Sequence, residues 1–136
     1  MRAKWKEVLG CIFICSLLAA CSVSNEDRAI GTWQVVYDGV KLDSFLVIAD
    51  DQTVTIDEGD VPMRSGTEEY RIVDTAEDAF TLEIADPRND SYHPIFEGYF
   101  DDQDTIVLGS ESDGEQGDVL IRVESVDEAR AELEQE

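Results

Sequence analysis

The chain is short of bases. Against 32 acidic residues it has 10 lysines and arginines and one histidine, a formal net charge of −22 over 136 residues. A field of that sign repels phosphate backbones and anionic headgroups, which argues against nucleic acid and a bare bilayer surface as partners. It attracts cationic proteins. The acids are spread along the chain and not massed in one block, the pattern of a surface kept hydrated. Cysteine is scarce as well. Cys11, Cys15 and Cys21 all fall near the start, so the body of the chain has no disulfide, no thiolate metal site and no cysteine nucleophile. Any domain built there is held by its core alone. His93, the single histidine, has no second imidazole or thiol with which to share a transition metal. No Gly-x-Ser-x-Gly elbow or phosphate-binding glycine loop occurs, and no spacing sets His93 between a serine and an acid. The chain reads as a non-enzyme with no cofactor. Long apolar runs are also missing: residues 8–20 make a run of 13, where a membrane-spanning helix needs roughly 20.

What is present at the start has an order. Arg2, Lys4 and Lys6 precede that run, with Glu7 the one opposing charge, and Leu18-Ala19-Ala20-Cys21 closes it. A basic segment, a short apolar segment and small residues before a cut are the parts of a secretory signal. The closing string resembles the bacterial lipobox, which implies cleavage before Cys21, a lipid on its sulfur and anchorage in the cell envelope. Ser22 in place of Asp implies, by the same resemblance, sorting to the outer membrane of a Gram-negative cell. Lipidation adds about 0.8 kcal/mol per buried CH₂, so two or three acyl chains on one cysteine anchor a protein almost permanently. Processing would remove Cys11 and Cys15 and leave 116 residues; loss of three bases and one acid takes the net charge from −22 to −24. Three parts are expected: a signal peptide at 1–20, a polar lipidated tether at 21–28, and one domain at 29–136.

From Gly31 onward the pattern changes to short runs of period two, broken every 8 to 12 residues by turn formers. That is the signature of an all-β sandwich or barrel. Eight candidate strands follow, at 32–37, 40–49 (as one strand or two short ones), 53–56, 68–73, 80–84, 95–100, 105–108 and 119–124. Trp33, Val35 and Tyr37 share one face of the first. Tyr70 and Ile72 face one way in the fourth. Phe80, Leu82 and Ile84 form an inward triplet with Thr81 and Glu83 toward water. Asp38-Gly39, the wider loop around Pro62, and 86–90 with its central proline supply the turns. Residues 49–54 and 100–106 echo each other as strand, Asp-Asp-Gln turn, strand, which suits a meander of repeated hairpins.

The tail changes period again. Ser125-Val126-Asp127-Glu128 reads as a capping box opening a helix, with Val126, Ala129 and Leu133 in a narrow apolar stripe that suits a barrel wall or mouth. Glu132, Glu134 and Glu136 gather at the negative end of its macrodipole, so the last turn is expected to fray. Calcium is the one metal worth weighing. Asp101, Asp102 and Asp104 lie on one tip and residues 111–115 hold more acids, but neither stretch meets the EF-hand spacing. Both read as solvated tips, and no metal is expected.

Ile30-Gly31-Thr32-Trp33 at the first strand resembles the Gly-x-Trp opening of lipocalin-like domains. That resemblance implies an eight-stranded antiparallel up-and-down barrel, with Gly31 at the entry turn and Trp33 across the closed end. The chain is shorter than the larger lipocalins and lacks their disulfide, and small barrels often fill their interior with side chains. The implied role is non-catalytic binding of a small apolar ligand or a protein partner at the envelope, with Trp33, Tyr70, Phe80 and Tyr99 as aromatic candidates for the interior. A second string, residues 65–70, resembles the Ser-Gly-x-x-Tyr motif of membrane-bound lysozyme inhibitors, with one extra residue before Tyr70. In a strand that insertion reverses the side on which the tyrosine points. The alternative it implies is inhibition of a cationic cell-wall hydrolase, which an acidic surface would favour.

Overall fold

The computed structural model describes residues 23–59, 66–109 and 118–135. Cys21 and the rest of the lipobox, Ser65 and the acidic stretch 111–115 lie outside the described residues. The elements run α1 (Asn25–Ala29), β1 (Gly31–Tyr37), β2 (Val40–Ile48), β3 (Thr53–Asp57), β4 (Gly66–Asp74), β5 (Ala79–Asp86), β6 (Ser91–Asp102), β7 (Thr105–Leu108), β8 (Val119–Val123) and α2 (Val126–Glu134). Each strand pairs antiparallel with the next, and β8 pairs with β1, closing an eight-stranded up-and-down barrel. Among the described residues, every strand pairing that closes it lies between Gly31 and Val123.

Alternation decides what is inside. Trp33, Leu46, Ile48, Val54, Tyr70, Phe80, Leu82, Phe100, Ile106 and Leu120 form the buried cluster, and their register partners confirm a common face: Trp33 lies opposite Leu46, and Phe80 opposite Gly98 beside Phe100. The inward triplet of β5 is as expected. Three local irregularities depart from simple alternation. Asp38-Gly39 turns with positive φ at both residues (49° and 77°), the type I′ geometry that matches strand twist. The β1–β2 register shifts between Gln34 and Val36, and the Gln34 side chain fills the gap by donating to the Leu42 carbonyl at 3.1 Å. β6 starts at Ser91, earlier than its sequence pattern predicts, because a bulge lets Pro94 sit in the strand opposite Glu83 with Ile95 as the extra residue. Bulges are where a strand accepts a proline.

The end where β1 begins is plugged. Residues 25–28, expected as tether, are instead part of α1, which lies across the barrel end with Asn25 and Ala29 buried. The buried Asn25 amide donates to Asp74 Oδ1 at 2.9 Å and to the Ala79 carbonyl at 3.3 Å, tying the helix to the β4–β5 turn. Arg28 donates to Asp78 Oδ1 at 2.7 Å with its guanidinium 4.1 Å from the Phe100 ring centroid. A five-residue helix has no stability alone; these contacts hold it. Polar residues with no apolar period gave no sign of it in sequence, because the signal is one buried amide and not a stripe.

Beneath α1, Trp33 donates its indole N–H to the Ala29 carbonyl at 2.8 Å, and the Arg122 guanidinium stacks over the indole at 4.3 Å. Arg122 also donates to the carbonyls of Ile30 (2.8 Å), Arg28 (2.7 Å) and Gln103 (3.1 Å), and to Asp104 Oδ1 (3.1 Å). One side chain on β8 thus joins α1, β1 and the β6–β7 turn. Gly31 makes room for it. Its φ is +147°, and a Cβ there would collide with Arg122 Nη1. Arg122→Ala is expected to cost about 2–4 kcal/mol, from a lost charged hydrogen-bond cluster and cation–π stack. Gly31→Ala is expected to cost a comparable amount, and less once Arg122 is already Ala, because the collision is then gone while the strain of a side chain at φ +147° remains. Urea denaturation of the four chains measures both, and additive costs would contradict the proposed collision.

Candidate functional site

The opposite end is built differently. Val35, Ile56, Ile84, Phe96 and Leu108 pack on the core but are only half-buried. Their partners put them on the inward face: Val35 opposite Leu120, Ile56 opposite Leu46, Ile84 opposite Tyr70, Phe96 opposite Leu82, Leu108 opposite Gly98. Together they make an apolar ring at the mouth. Its floor is aromatic: Phe96 meets Phe80 edge-on at 5.9 Å, Phe80 meets Phe100 at 5.3 Å, and Phe100 meets Trp33 at 6.4 Å. The β1–β2 hairpin extends past the ring. On its inward side it carries Tyr37 and Val40, which are paired, and then Leu42, with 59%, 60% and 38% of their surfaces exposed.

Acids stand on the same face at the rim. Glu68 is opposite the inward Val54 and exposed. Asp86 follows Ile84 by two residues; it accepts from the Arg88 amide at 2.9 Å and lies 3.2 Å from His93 Nε2. The amide, and then the histidine, hold the Asp86 carboxyl below the usual carboxylate range, so it is an anion at neutral pH. Glu68, Glu69, Asp86 and Asp90 line a cleft beside Tyr92, where the β4–β5 pairing stops at Tyr70 and Ile84 and the two strands part.

The sequence candidates divide among these places. Trp33 and Gly31 lie at the plugged end. Tyr70 and Phe80 are core, Tyr70 being 2% exposed with its hydroxyl donating to the Ala49 carbonyl at 2.9 Å. Burial raises the pKa of that phenol first, with acidic neighbours adding to it. A tyrosine so held has no reach into a partner's cleft, which removes the residue on which the lysozyme-inhibitor resemblance leans. Tyr99 is a correction. Between the inward Gly98 and Phe100, and opposite Ala79 and Val107, it faces the outer wall and not the interior. Asp102 accepts from the Asp104 amide at 2.8 Å, just as Asp51 accepts from the Thr53 amide at 3.1 Å, so the two Asp-Asp-Gln tips make the same Asx turn. With Asp104 taken by Arg122, these acids serve the turn and the plug. Among the described residues no three His, Cys, Asp or Glu side chains gather as metal ligands, and no helix is long and apolar enough to cross a membrane.

Helix α2 packs on the outside of β1 and β2, not over the mouth. Ser125 caps it, accepting from the Glu128 amide at 3.1 Å, and Ala129 is buried. Its anchor is a residue that the apolar stripe does not point to. Arg130 donates to Asp43 Oδ1 at 2.7 Å and to Asp57 Oδ1 at 2.9 Å, with its guanidinium 5.4 Å from the Phe45 ring. Phe45 and Gln34 face outward yet are buried beneath the helix. Asp57 has a lowered pKa, chiefly because it accepts from the Gly59 amide and further because of Arg130. The sign is that of a depressed carboxylate. Its contribution is fully present above the unfolded value, near pH 4, and is lost as pH falls through the lower folded value. Exposed ion pairs contribute about 1 kcal/mol or less, so Arg130→Ala is expected to cost about that at pH 7. The difference between parent and variant should shrink toward pH 2 in denaturation curves, leaving the part that comes from the stack on Phe45; a difference unchanged by pH would contradict the ion-pair clamp.

No protein-family model, no curated protein and no solved structure matches the chain, so the function is argued from this geometry.

Proposed function

We propose that the protein is a lipid-anchored, lipocalin-like barrel of the cell envelope that binds a small apolar ligand at its mouth without catalysing a reaction. One observation carries the reading. The interior is packed from the plug to Phe80, and at the other end five inward apolar side chains are only partly buried and gathered in one ring, where nearer the plug only the isolated Ile30 and Ile72 are so. Water-facing apolar rings cost about 25 cal/mol per Å², and a concave apolar site with a few polar groups at its edge is the usual form of a ligand pocket. Packing beneath the ring limits the ligand to the upper barrel.

The anchor reading adds an orientation. Val23 lines the cleft at the plugged end with Asp27, Arg28, Glu77, Asp78 and Arg122. A lipid on Cys21, two residues earlier, sets that end toward the bilayer and the mouth away from it. The mouth then faces ligands or a second envelope protein, and the plug keeps acyl chains of the membrane out of the core.

Two measurements test this. A neutral fluorescent probe such as N-phenyl-1-naphthylamine should bind one-to-one, and Leu108→Gln or Ile56→Gln should weaken it about tenfold, as expected when a ligand loses roughly 1–2 kcal/mol of apolar contact. Absence of saturable binding would overturn the mouth as a site. Independently, Cys21→Ala should leave the protein unlipidated and released from membranes; a variant that is processed and still membrane-bound would overturn the anchor.

A further inference from the structure

The charges around the mouth allow a narrower statement, which rests on the mouth being the binding site. The ring is shallow. From Ile84 to the packed Leu82, or from Phe96 to Gly98, is a single inward step of two residues, about 7 Å along a strand. A wholly apolar ligand lodged in one layer of side chains keeps much of its surface in water. An amphiphile does not, because its head belongs at the rim.

The rim selects the sign of that head. On the inward face stand Glu68, whose carboxylate has no hydrogen bond or ion pair among the described residues, and Asp86, held ionised by the Arg88 amide and His93. Glu69 and Asp90 flank the adjoining cleft. Among the described residues, the arginines paired with acids lie elsewhere. Arg28 and Arg122 are at the plugged end, on Asp78 and Asp104; Arg71 and Arg130 are on the outer wall, on Glu83 and on Asp43 with Asp57. The groups of positive or titratable character near the rim are His93, already facing Asp86, and Arg88 in the β5–β6 loop. Lys41, opposite Val36, points to the outer side of the hairpin. Tyr92 closes the cleft, and its ring is already stacked under Arg71 at 4.2 Å.

We infer that the occupant of the mouth is a single-chain amphiphile with a cationic head. Its apolar part sits against Val35, Ile56, Ile84, Phe96 and Leu108, and its head lies between Glu68 and Asp86. An anionic amphiphile is repelled by the same two carboxylates and by the net charge of the molecule.

The test compares decyltrimethylammonium, decyl maltoside and decanoate, each below its micelle concentration, with the chain from residue 21 carrying Cys21→Ser, at pH 7 by titration calorimetry. The cationic probe should bind one-to-one, about tenfold tighter than the neutral one at low salt, with decanoate weakest; complementary charge contributes on this scale. The preference should shrink in 0.5 M salt, where screening is strong, and in Glu68→Gln with Asp86→Asn, isosteric changes that remove both charges and keep an oxygen at position 86 to accept from the Arg88 amide. Leu108→Gln should weaken all three probes. Equal binding of the three would overturn the cationic head while leaving the mouth as a site. No one-to-one binding of any probe would remove the mouth itself. Binding of several cations per chain, unaffected by Leu108→Gln, would mean adsorption to the acidic surface and would overturn the inference.

Discussion

Everything in this barrel is referred to the stack of Arg122 on Trp33. The guanidinium lies over the indole at 4.3 Å, while its N–H groups reach the Arg28 and Ile30 carbonyls, just before β1, and the Gln103 carbonyl on the β6–β7 turn. Carbonyls at the end of a barrel have no ladder partner, and each left dry and unpaired would cost on the order of 1–3 kcal/mol. One planar cation with five donors satisfies several at once. It does so on the strand that closes the sheet, so the same side chain that caps the end also fixes β8 against β1. Gly31 follows as a consequence. The guanidinium occupies the space a Cβ would need.

The plug then determines the mouth. Because α1 and the Arg122–Trp33 stack seal one end, packing propagates upward from there: Trp33 to Phe100, Phe100 to Phe80, Phe80 to Phe96. Each ring is tilted or edge-on to the next, the arrangement aromatic quadrupoles prefer. The series ends where Phe96 is half-exposed. A barrel of eight strands has just enough interior for side chains to fill, and here aromatics fill the lower part while the smaller Val35, Ile56 and Leu108 line the upper part. Depth at the mouth is therefore a product of where the large residues lie along the strands.

Much of this was legible in the residues, and the rest was hidden for definite reasons. Period-two runs and turn formers gave the eight strands and the barrel, since alternation is the direct imprint of a sheet with one buried face. Ser125 and Glu128 marked the start of α2 correctly because capping is a local event. Tyr99 was misplaced, although alternation from the inward Phe100 assigns it outward; aromatic character outweighed parity in that reading. Pro94 and Ile95 hid the true start of β6, because a bulge breaks the period on which strand edges are judged. α1 was invisible, its burial depending on Asn25 meeting a turn 49 residues away. Arg122 and Arg130 were missed for a related reason. An arginine in an acidic chain reads as a solvated charge, and only the fold shows which ring lies under it.

The scarcity of bases makes that last point general. Arg28, Arg71, Arg122 and Arg130 each lie over an aromatic ring, of Phe100, Tyr92, Trp33 and Phe45 respectively. Each also pairs with an acid, at 2.6–3.1 Å. A lone exposed ion pair is worth little, and a lone stack about 0.5–1 kcal/mol. Combined on one guanidinium they share a single loss of side-chain entropy, so the second contact comes without the ordering cost of the first. In a molecule at −22, where self-repulsion opposes compactness, the cations are most effective at seams: two at the plug, one across β4–β5, one under α2. Among the described residues that distribution places no paired arginine at the mouth, where Arg88 and His93 are the basic groups beside the carboxylates of Glu68 and Asp86. The acidity of the rim is then the counterpart of a stable closed end, and it requires no separate selection of acids around the opening.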